Sequence, residues 1–433
     1  MAVSRRQFLL GGVAAGAGLL ATACGSSSGG SSAGGTSAAG GGSGGGGKSS
    51  GGELNVYSFS SNTVPASAVN AVFDGFTKAT GIKVKQTQEP ADYATFVQKI
   101  TTALSSGFTG YDVIYMDDFT NQTFGAAGWL VPLQDKVDKS AITALSTTHR
   151  NLSTVKGNLY RVPINQSFYI QFYRKDLLKA AGLNPPTSWS QILSTARALT
   201  KKGKYGLSLA GVPSDAFDDF LYFMPQAGGD FLNLDLPGSQ KALEFLHDLV
   251  TTYKVVPKSY VTDSYTTIPT YFESGDVALW ASWNGFVDGF VADKKFYQGG
   301  KALGLAGPAK GPVSDVTDVG DWGWSISKYS PNLANAVKFV DYATTKSAET
   351  IWAKTQAVPA RQDAVEASRR ILVGGEDFAR ILSTVKQVPR PISPQTTQIQ
   401  NSVAPILVDY VAGKTSLSTA VKSGQALIKK YTS

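Results

Sequence analysis

Two consecutive carboxylates, Asp117 and Asp118, close a short apolar run, Tyr111-Asp-Val-Ile-Tyr-Met116. The run reads as a strand, and Phe119 to Ala127 reads as a helix stopped by Gly128. In an open α/β sheet, ligands collect outside the carboxyl ends of strands. A pair of acids there serves either as acceptors for a bound solute or as a general acid and base. Retaining glycoside hydrolysis needs two carboxyls about 5–5.5 Å apart and aimed at one bond. Successive residues of a strand point to opposite faces, so Asp117 and Asp118 are expected to diverge. Asp117 is then a ligand acceptor, and Asp118 is a ligand group or the N-cap of the helix.

Other chemistries lack their residues. The single cysteine is Cys24, which leaves the rest of the chain without disulfide or thiol chemistry. The two histidines, His149 and His247, lie far apart in sequence, and no zinc-ligand spacing occurs. No G-x-S-x-G elbow or phosphate-binding P-loop is present. No cofactor is expected. The net charge is +8, but the basic residues are scattered, never more than two adjacent, so nucleic acid is not an expected partner. An exported carbohydrate-active enzyme stays as an alternative, drawing its carboxylates from distant loops.

The elements that must position these groups follow a simple order. Leu54 to Phe59 is a strand, and Val69, Val72, Phe73 and Phe76 recur at helical spacing before Gly81. Ile82 to Gln88 is a second strand, and Tyr93, Phe96, Val97, Ile100 and Leu104 mark a second helix, ended by Gly107. With the run at 111–116 this is strand, helix, strand, helix, strand, which predicts a parallel sheet with right-handed crossovers. Phe168 to Tyr173 and Asp276 to Ser282 read as later strands, the second delivering Trp283-Asn284-Gly285. Residues 299–320, rich in Gly and Pro, read as a crossing segment, Trp322 to Ser327 as a strand, and the tail after Asp363 as mostly helical. About 380 residues from Glu53 onward exceed what one hydrophobic core usually supports, so two domains are expected.

The first 52 residues stand apart from this body. Ser4-Arg5-Arg6-Gln7-Phe8-Leu9-Leu10 is a twin-arginine export signature, and the apolar stretch from Phe8 to Ala23 is too short to span a bilayer as a stable helix. It ends in Ala21-Thr22-Ala23-Cys24, which reads as a lipobox with Cys24 as the lipid attachment point, or as an ordinary A-x-A cleavage site. Residues 25–52 are nearly all Gly, Ser, Ala and Thr, a flexible tether with an r.m.s. reach of about 30 Å. These features imply a body held at the outer face of the cytoplasmic membrane. Two arginines leave with the signal segment, which lowers the net charge from +8 to +6.

Several short pieces then add up, in order. They are Tyr111-Asp-Val-Ile-Tyr-Met-Asp117, Ala126-Ala-Gly-Trp-Leu-Val-Pro-Leu133, Leu159-Tyr-Arg-Val-Pro163 and Phe172-Tyr-Arg-Lys-Asp-Leu177 with Pro185-Pro186-Thr187-Ser188-Trp189. Phe272-Glu-Ser-Gly-Asp-Val-Ala-Leu279, Gly320 to Ser330 and Gln356-Ala-Val-Pro-Ala-Arg361 follow. The chain resembles the extracellular solute-binding proteins of bacterial ABC importers, in particular the sugar-binding family that includes maltose- and trehalose-binding proteins. The resemblance implies an α/β, two-lobed periplasmic-binding-protein fold of the Venus-flytrap kind with hinge crossovers. It implies residues 53–163 with 313–357 as one lobe and 164–312 with 358–433 as the other. It also implies a monomer that captures a sugar, a di- or oligosaccharide, and delivers it to a permease.

A sugar offers hydroxyls for charge-assisted hydrogen bonds and flat C–H faces for aromatic rings. Asp117 matches the family position at the third strand's end. Trp283 falls where the family places a contact residue, with hinge packing as its other role, while Trp280, inside the strand, reads as core. Trp322 takes the aromatic place of a Gly-Gly-Trp-like segment in which Asp321 replaces the second glycine. Arg361 resembles an arginine that meets ligand in some relatives, with a structural salt bridge as the other reading. Asn165 and Gln166 lie on the first crossing, facing ligand or bonding the hinge. Gly229, after Gly228, allows close backbone approach or simply turns the chain. Asn62 and Ser60 follow the first strand. No aromatic residue occurs between Pro394 and Tyr410, where maltose-type members place one, which argues against a long maltodextrin. The same fold also accommodates an iron complex or a polyamine, and a sensing role is compatible with the same sequence.

Overall fold

A computed structural model describes residues 52–59, 66–89, 93–391 and 393–432. Asn62, Ser60 and Cys24, with the export signature and the tether through Gly51, lie outside the described residues. The first three strands are β1 (Leu54–Phe59), β2 (Val84–Glu89) and β3 (Val113–Asp117). They are joined by α1 (Ala66–Thr80) and α2 (Tyr93–Ser105). Val69, Val72 and Phe76 of α1 are fully buried, so the helical spacing of apolar residues marks the face that meets the sheet. Gly81 and Gly107 end the two helices with φ of 74° and 72°, a left-handed turn that glycine enters without a Cβ clash. β1 pairs in parallel with β2 and with β3, as the alternation of elements predicts.

Two long strands carry the sheet onward. β4 (Val162–Arg174) runs antiparallel to β6 (Val277–Trp283) over its second half. Over its first half β4 runs antiparallel to β8 (Thr317–Ile326), which in turn pairs with β3. β5 (Tyr205–Ser208) lies parallel to β6, so the order across the sheet is β2-β1-β3-β8-β4-β6-β5. Three short strands flank this path. β7 (Leu303–Ala306) and β9 (Val358–Pro359) pair with β4, and β10 (Gln387–Pro389) pairs with β8.

Phe168–Tyr173, expected as a short strand of its own, is the second half of a thirteen-residue strand that begins at Val162. β4 is buried on both faces along nearly its whole length, so it shows no alternation of polar and apolar residues. The Gly/Pro-rich segment at 299–320 likewise holds β7 and the start of β8, and the tail contains β10 among its helices.

Three hydrophobic cores form around the sheet. One joins β1, β3 and α1 to Trp324 of β8 and to Phe339 and Val340. A smaller one holds Tyr57, Phe96, Ile114, Met116 and Phe124. The third and largest gathers Phe168 to Phe172 of β4, Trp280 and Trp283 of β6, and residues 399–428 near the C-terminus. Trp280 is core, as expected. β4 contributes Val162 and Ile164 to the first core and Phe168, Tyr169, Ile170 and Phe172 to the third. No helix among the described residues is long and apolar enough to cross a membrane.

The β4–β8 ladder shifts register between Trp322 and Gly323, and at Gly323 the backbones come very close. A Cβ built on Gly323 would sit 2.3 Å from the Val162 carbonyl oxygen and 2.7 Å from Pro163 Cα, both of them backbone atoms. Gly323→Ala is therefore expected to push β4 and β8 apart and to cost about 1–3 kcal/mol or more, read as a lower midpoint in chemical denaturation.

Candidate functional site

The strand-to-helix junction at Asp117 sets the site. β3 ends at Asp117, and α3 (Asp118–Ala126) begins at the next residue. Asp117, not Asp118, is the N-cap: its Oδ1 accepts from Thr120 N at 3.0 Å and Thr120 Oγ1 at 2.6 Å. Its Oδ2 accepts from the Tyr93 hydroxyl at 2.6 Å. The strand stops before Asp118, so strand alternation does not govern the pair and the expected divergence does not occur. Both carboxylates meet one guanidinium, that of Arg390, whose Nη1 lies 3.4 Å from Asp118 Oδ1 and 4.0 Å from Asp117 Oδ2.

Arg390 was not singled out in the sequence. Its position follows from β10, where Asp318 pairs with Val388 and Val319 with Pro389, so the next residue arrives beside Gly320. Gly320 leaves the room: a Cβ there would lie 3.0 Å from Asp118 Oδ1 and 3.2 Å from Arg390 Nε. Two more carboxylates complete the cluster. Asp218, on α4 (Pro213–Gln226), accepts from Arg390 Nη2 at 3.0 Å, and Asp318 Oδ2 lies 3.8 Å from Nε. The guanidinium is sandwiched between the rings of Phe119, 4.2 Å away, and Trp283, 4.4 Å away. All five charged residues are buried. The cluster draws on β3, α3, β8 and the turn after β10 from one side and on α4 and β6 from the other.

The remaining predicted residues separate into two groups. Trp283 belongs to the cluster: its indole N–H donates to Asp218 Oδ2 at 3.1 Å, and Tyr265 donates to the same oxygen at 2.9 Å. Trp322 lies one strand away, opposite Asp117 in the β3–β8 register, and packs on Tyr93, Phe96 and Tyr115. The polar groups of the others are engaged internally. Asp321 is fully buried in an ion pair with Arg161 and accepts from His149 Nδ1 at 2.6 Å, so its carboxylate is engaged in an interior charge pair. Gln166 donates to the Pro359 carbonyl at 2.8 Å, and Asn165 accepts from Trp322 N at 3.2 Å. Arg361 pairs with Asp363 at 3.0 Å and donates to the Thr344 carbonyl at 3.1 Å, the structural salt bridge. A Cβ on Gly229 would lie 2.3 Å from Ser239 N, so that glycine lets the chain turn against the next helix. Among the described residues no group of three or more His, Cys, Asp or Glu side chains is set to hold a metal ion.

Four acids around one cation in a dry site cannot all keep their ordinary acidity. Burial pushes the Asp118 carboxyl up to about 7, against the pull of Arg390 and Arg161 and with help from the charges of Asp117 and Asp321. Burial also raises Asp218, opposed by Arg390, Trp283 and Tyr265, and it raises Asp318 well above the usual carboxylate range. Burial works against the charge of Arg390, but the carboxylates, Asp218 first, outweigh it and keep the guanidinium protonated.

A carboxyl that protonates more readily when folded binds more protons in the native state between its two pKa values. The stability it contributes is therefore lost as pH rises from about 4 through about 7. The melting temperature is expected to be lower at about pH 8 than at about pH 5.5, with a smaller difference in Asp118→Asn. Arg390→Met strands the carboxylates and is expected to cost about 3–5 kcal/mol at the higher pH, and less at the lower. Thermal scans at the two pH values check both.

The comparisons with known proteins fit this architecture. Residues 60–350, more than half of the chain, match the family described as bacterial extracellular solute-binding protein. The mannitol-binding protein of Pseudomonas aeruginosa is 26% identical over 67% of this chain and 70% of its own. The Thermotoga maritima MalE3 structure with maltose superposes with a TM-score of 0.79 at 21% identity, covering 88% of this chain and 99% of the other. A solute-binding protein of Thermotoga lettingae bound to α-D-tagatose gives a TM-score of 0.80 at 23% identity, covering 88% and 100%. The two cores joined by β4, with acids and rings converging between them, are the two-lobed arrangement of these structures, and the chain belongs to the bacterial extracellular solute-binding protein family.

Proposed function

We propose that this chain captures a sugar or polyol between its two lobes and hands it, unaltered, to the membrane permease of an ABC importer. The observation that carries the reading is the convergence of Asp117, Asp118, Asp218, Asp318 and Arg390 with two aromatic faces at the junction of the cores. Carboxylates and a guanidinium together provide both the acceptors and the donors that hydroxyls require. One relative is named for mannitol, and the two similar structures are described with maltose and with tagatose bound; all three compounds are polyhydroxylated and uncharged.

In this reading the lobes are 53–163 with 313–357 and 164–312 with 358–433. Asp117, Asp118, Trp283 and Trp322 keep their assignment as ligand contacts, and Asp218, Asp318 and Arg390 join them. The chain works as a monomer, exported by the twin-arginine route and held at the outer face of the cytoplasmic membrane by a lipid on Cys24. The tether at 25–52 lets the body reach its permease.

Thermal unfolding against a panel of monosaccharides, disaccharides and polyols tests the capture. A one-site ligand at 100 times Kd stabilises the folded state by about 2.7 kcal/mol. One or more of the panel is expected to raise the midpoint, and Asp117→Ala and Trp283→Ala are expected to lose that increment whatever their own melting temperatures. A flat panel refutes the sugar reading. For the anchor, Cys24→Ala is expected to move the protein from the membrane fraction to the medium; retention in the membrane removes the lipid from the account.

A further inference from the structure

The cluster sets four carboxyl groups around the guanidinium of Arg390. Asp218 is fully engaged, with Oδ1 on Arg390 and Oδ2 on Tyr265 and Trp283. Asp117 is occupied by Thr120 and Tyr93. Asp118 touches the guanidinium only at 3.4 Å and otherwise accepts from Asp321 N at 3.3 Å. Asp318 is 2% exposed, and among the described residues its Oδ2 has no hydrogen-bond partner although it lies 3.8 Å from Arg390 Nε, which likewise has no acceptor there. An unpaired acceptor buried this deeply costs more than any hydrogen bond it forgoes, and a cation placed beside it favours the ionised carboxylate that burial disfavours. The rings of Phe119 and Trp283 already receive a cation on their faces, so the site is electron-rich in its apolar parts as well.

Resting on the sugar or polyol reading above, we infer that the ligand also carries a protonated amine, as an amino sugar or amino polyol does. Its N–H groups pair with Asp318 and Asp118 beside Arg390, and its hydroxyls take the remaining donors and acceptors. An ammonium brings three donors and one positive charge to the place where a buried carboxyl oxygen has no donor.

The test uses probe pairs that differ in one amine: D-glucosamine against D-glucose, and 1-amino-1-deoxy-D-glucitol against D-glucitol. Calorimetric titration of the purified protein is expected to show the amine member binding at least about tenfold tighter, a difference of about 1.4 kcal/mol. In Asp318→Asn and in Asp118→Asn the ratio within each pair is expected to fall towards one, with a cooperative unfolding transition retained. Equal binding within the pairs, or tighter binding of the neutral members, overturns the amine assignment while the sugar reading stands. Stabilisation by spermidine with no amino sugar binding overturns it too. Silence from both pairs and from the neutral panel overturns both.

Discussion

One guanidinium holds the centre of this molecule together. Arg390 touches acids from β3, α3, α4 and β8 and lies between rings from α3 and β6, so its position requires both cores to be in place at once. A buried ion cluster is seldom a source of net stability, because the cost of removing charges from water rivals their attraction. What it provides is geometry. Five charged groups can be dry together only in an arrangement where each faces its partners, and a wrong approach of the two halves leaves them stranded. The aromatic pair sharpens this further, since a planar cation stacks between two faces in few orientations.

The supports of that guanidinium are modest and local. Three residues of strand, Gln387–Pro389, set the register, a glycine at 320 leaves the space, and the N-terminal turn of α3 aims Asp118. Behind them stands a second buried network, His149, Arg161 and Asp321, which fastens β8 to the segment before β4. The two networks touch where Asp321 N donates to Asp118 at 3.3 Å. A change in the interior pair therefore reaches Asp118 through that backbone amide and through the charges of Asp321 and Arg161.

Much of the fold was legible in the sequence, for a physical reason. Amphipathic helices such as α1 and α2, ended by glycines at 81 and 107, and strands that alternate with them leave a periodic record of which face is buried. β4 left no such record, because both of its faces are covered. For the site, Asp117 and Asp118 were visible as acids at a strand tip, although the rule that strand neighbours diverge did not apply at a strand that ends between them. Arg390, Asp218 and Asp318 were invisible. Their ion-pair partners lie between 72 and 273 residues away in sequence, and a lone arginine after a proline, or an aspartate in a helix, reads as surface until the topology brings it inward. Asp321, Gln166 and Arg361 illustrate the converse: polar residues near a cleft in sequence whose side chains are consumed by interior partners.

The sharing of β4 between two cores has a thermodynamic consequence. Its first residues pack with Trp324 and Phe339, and its later ones with Trp280 and Phe272, along a single unbroken strand. Melting either core withdraws support from the same backbone ladder that the other needs. The two cores that share this strand should then be lost in one cooperative step, with neither surviving as an intermediate of its own.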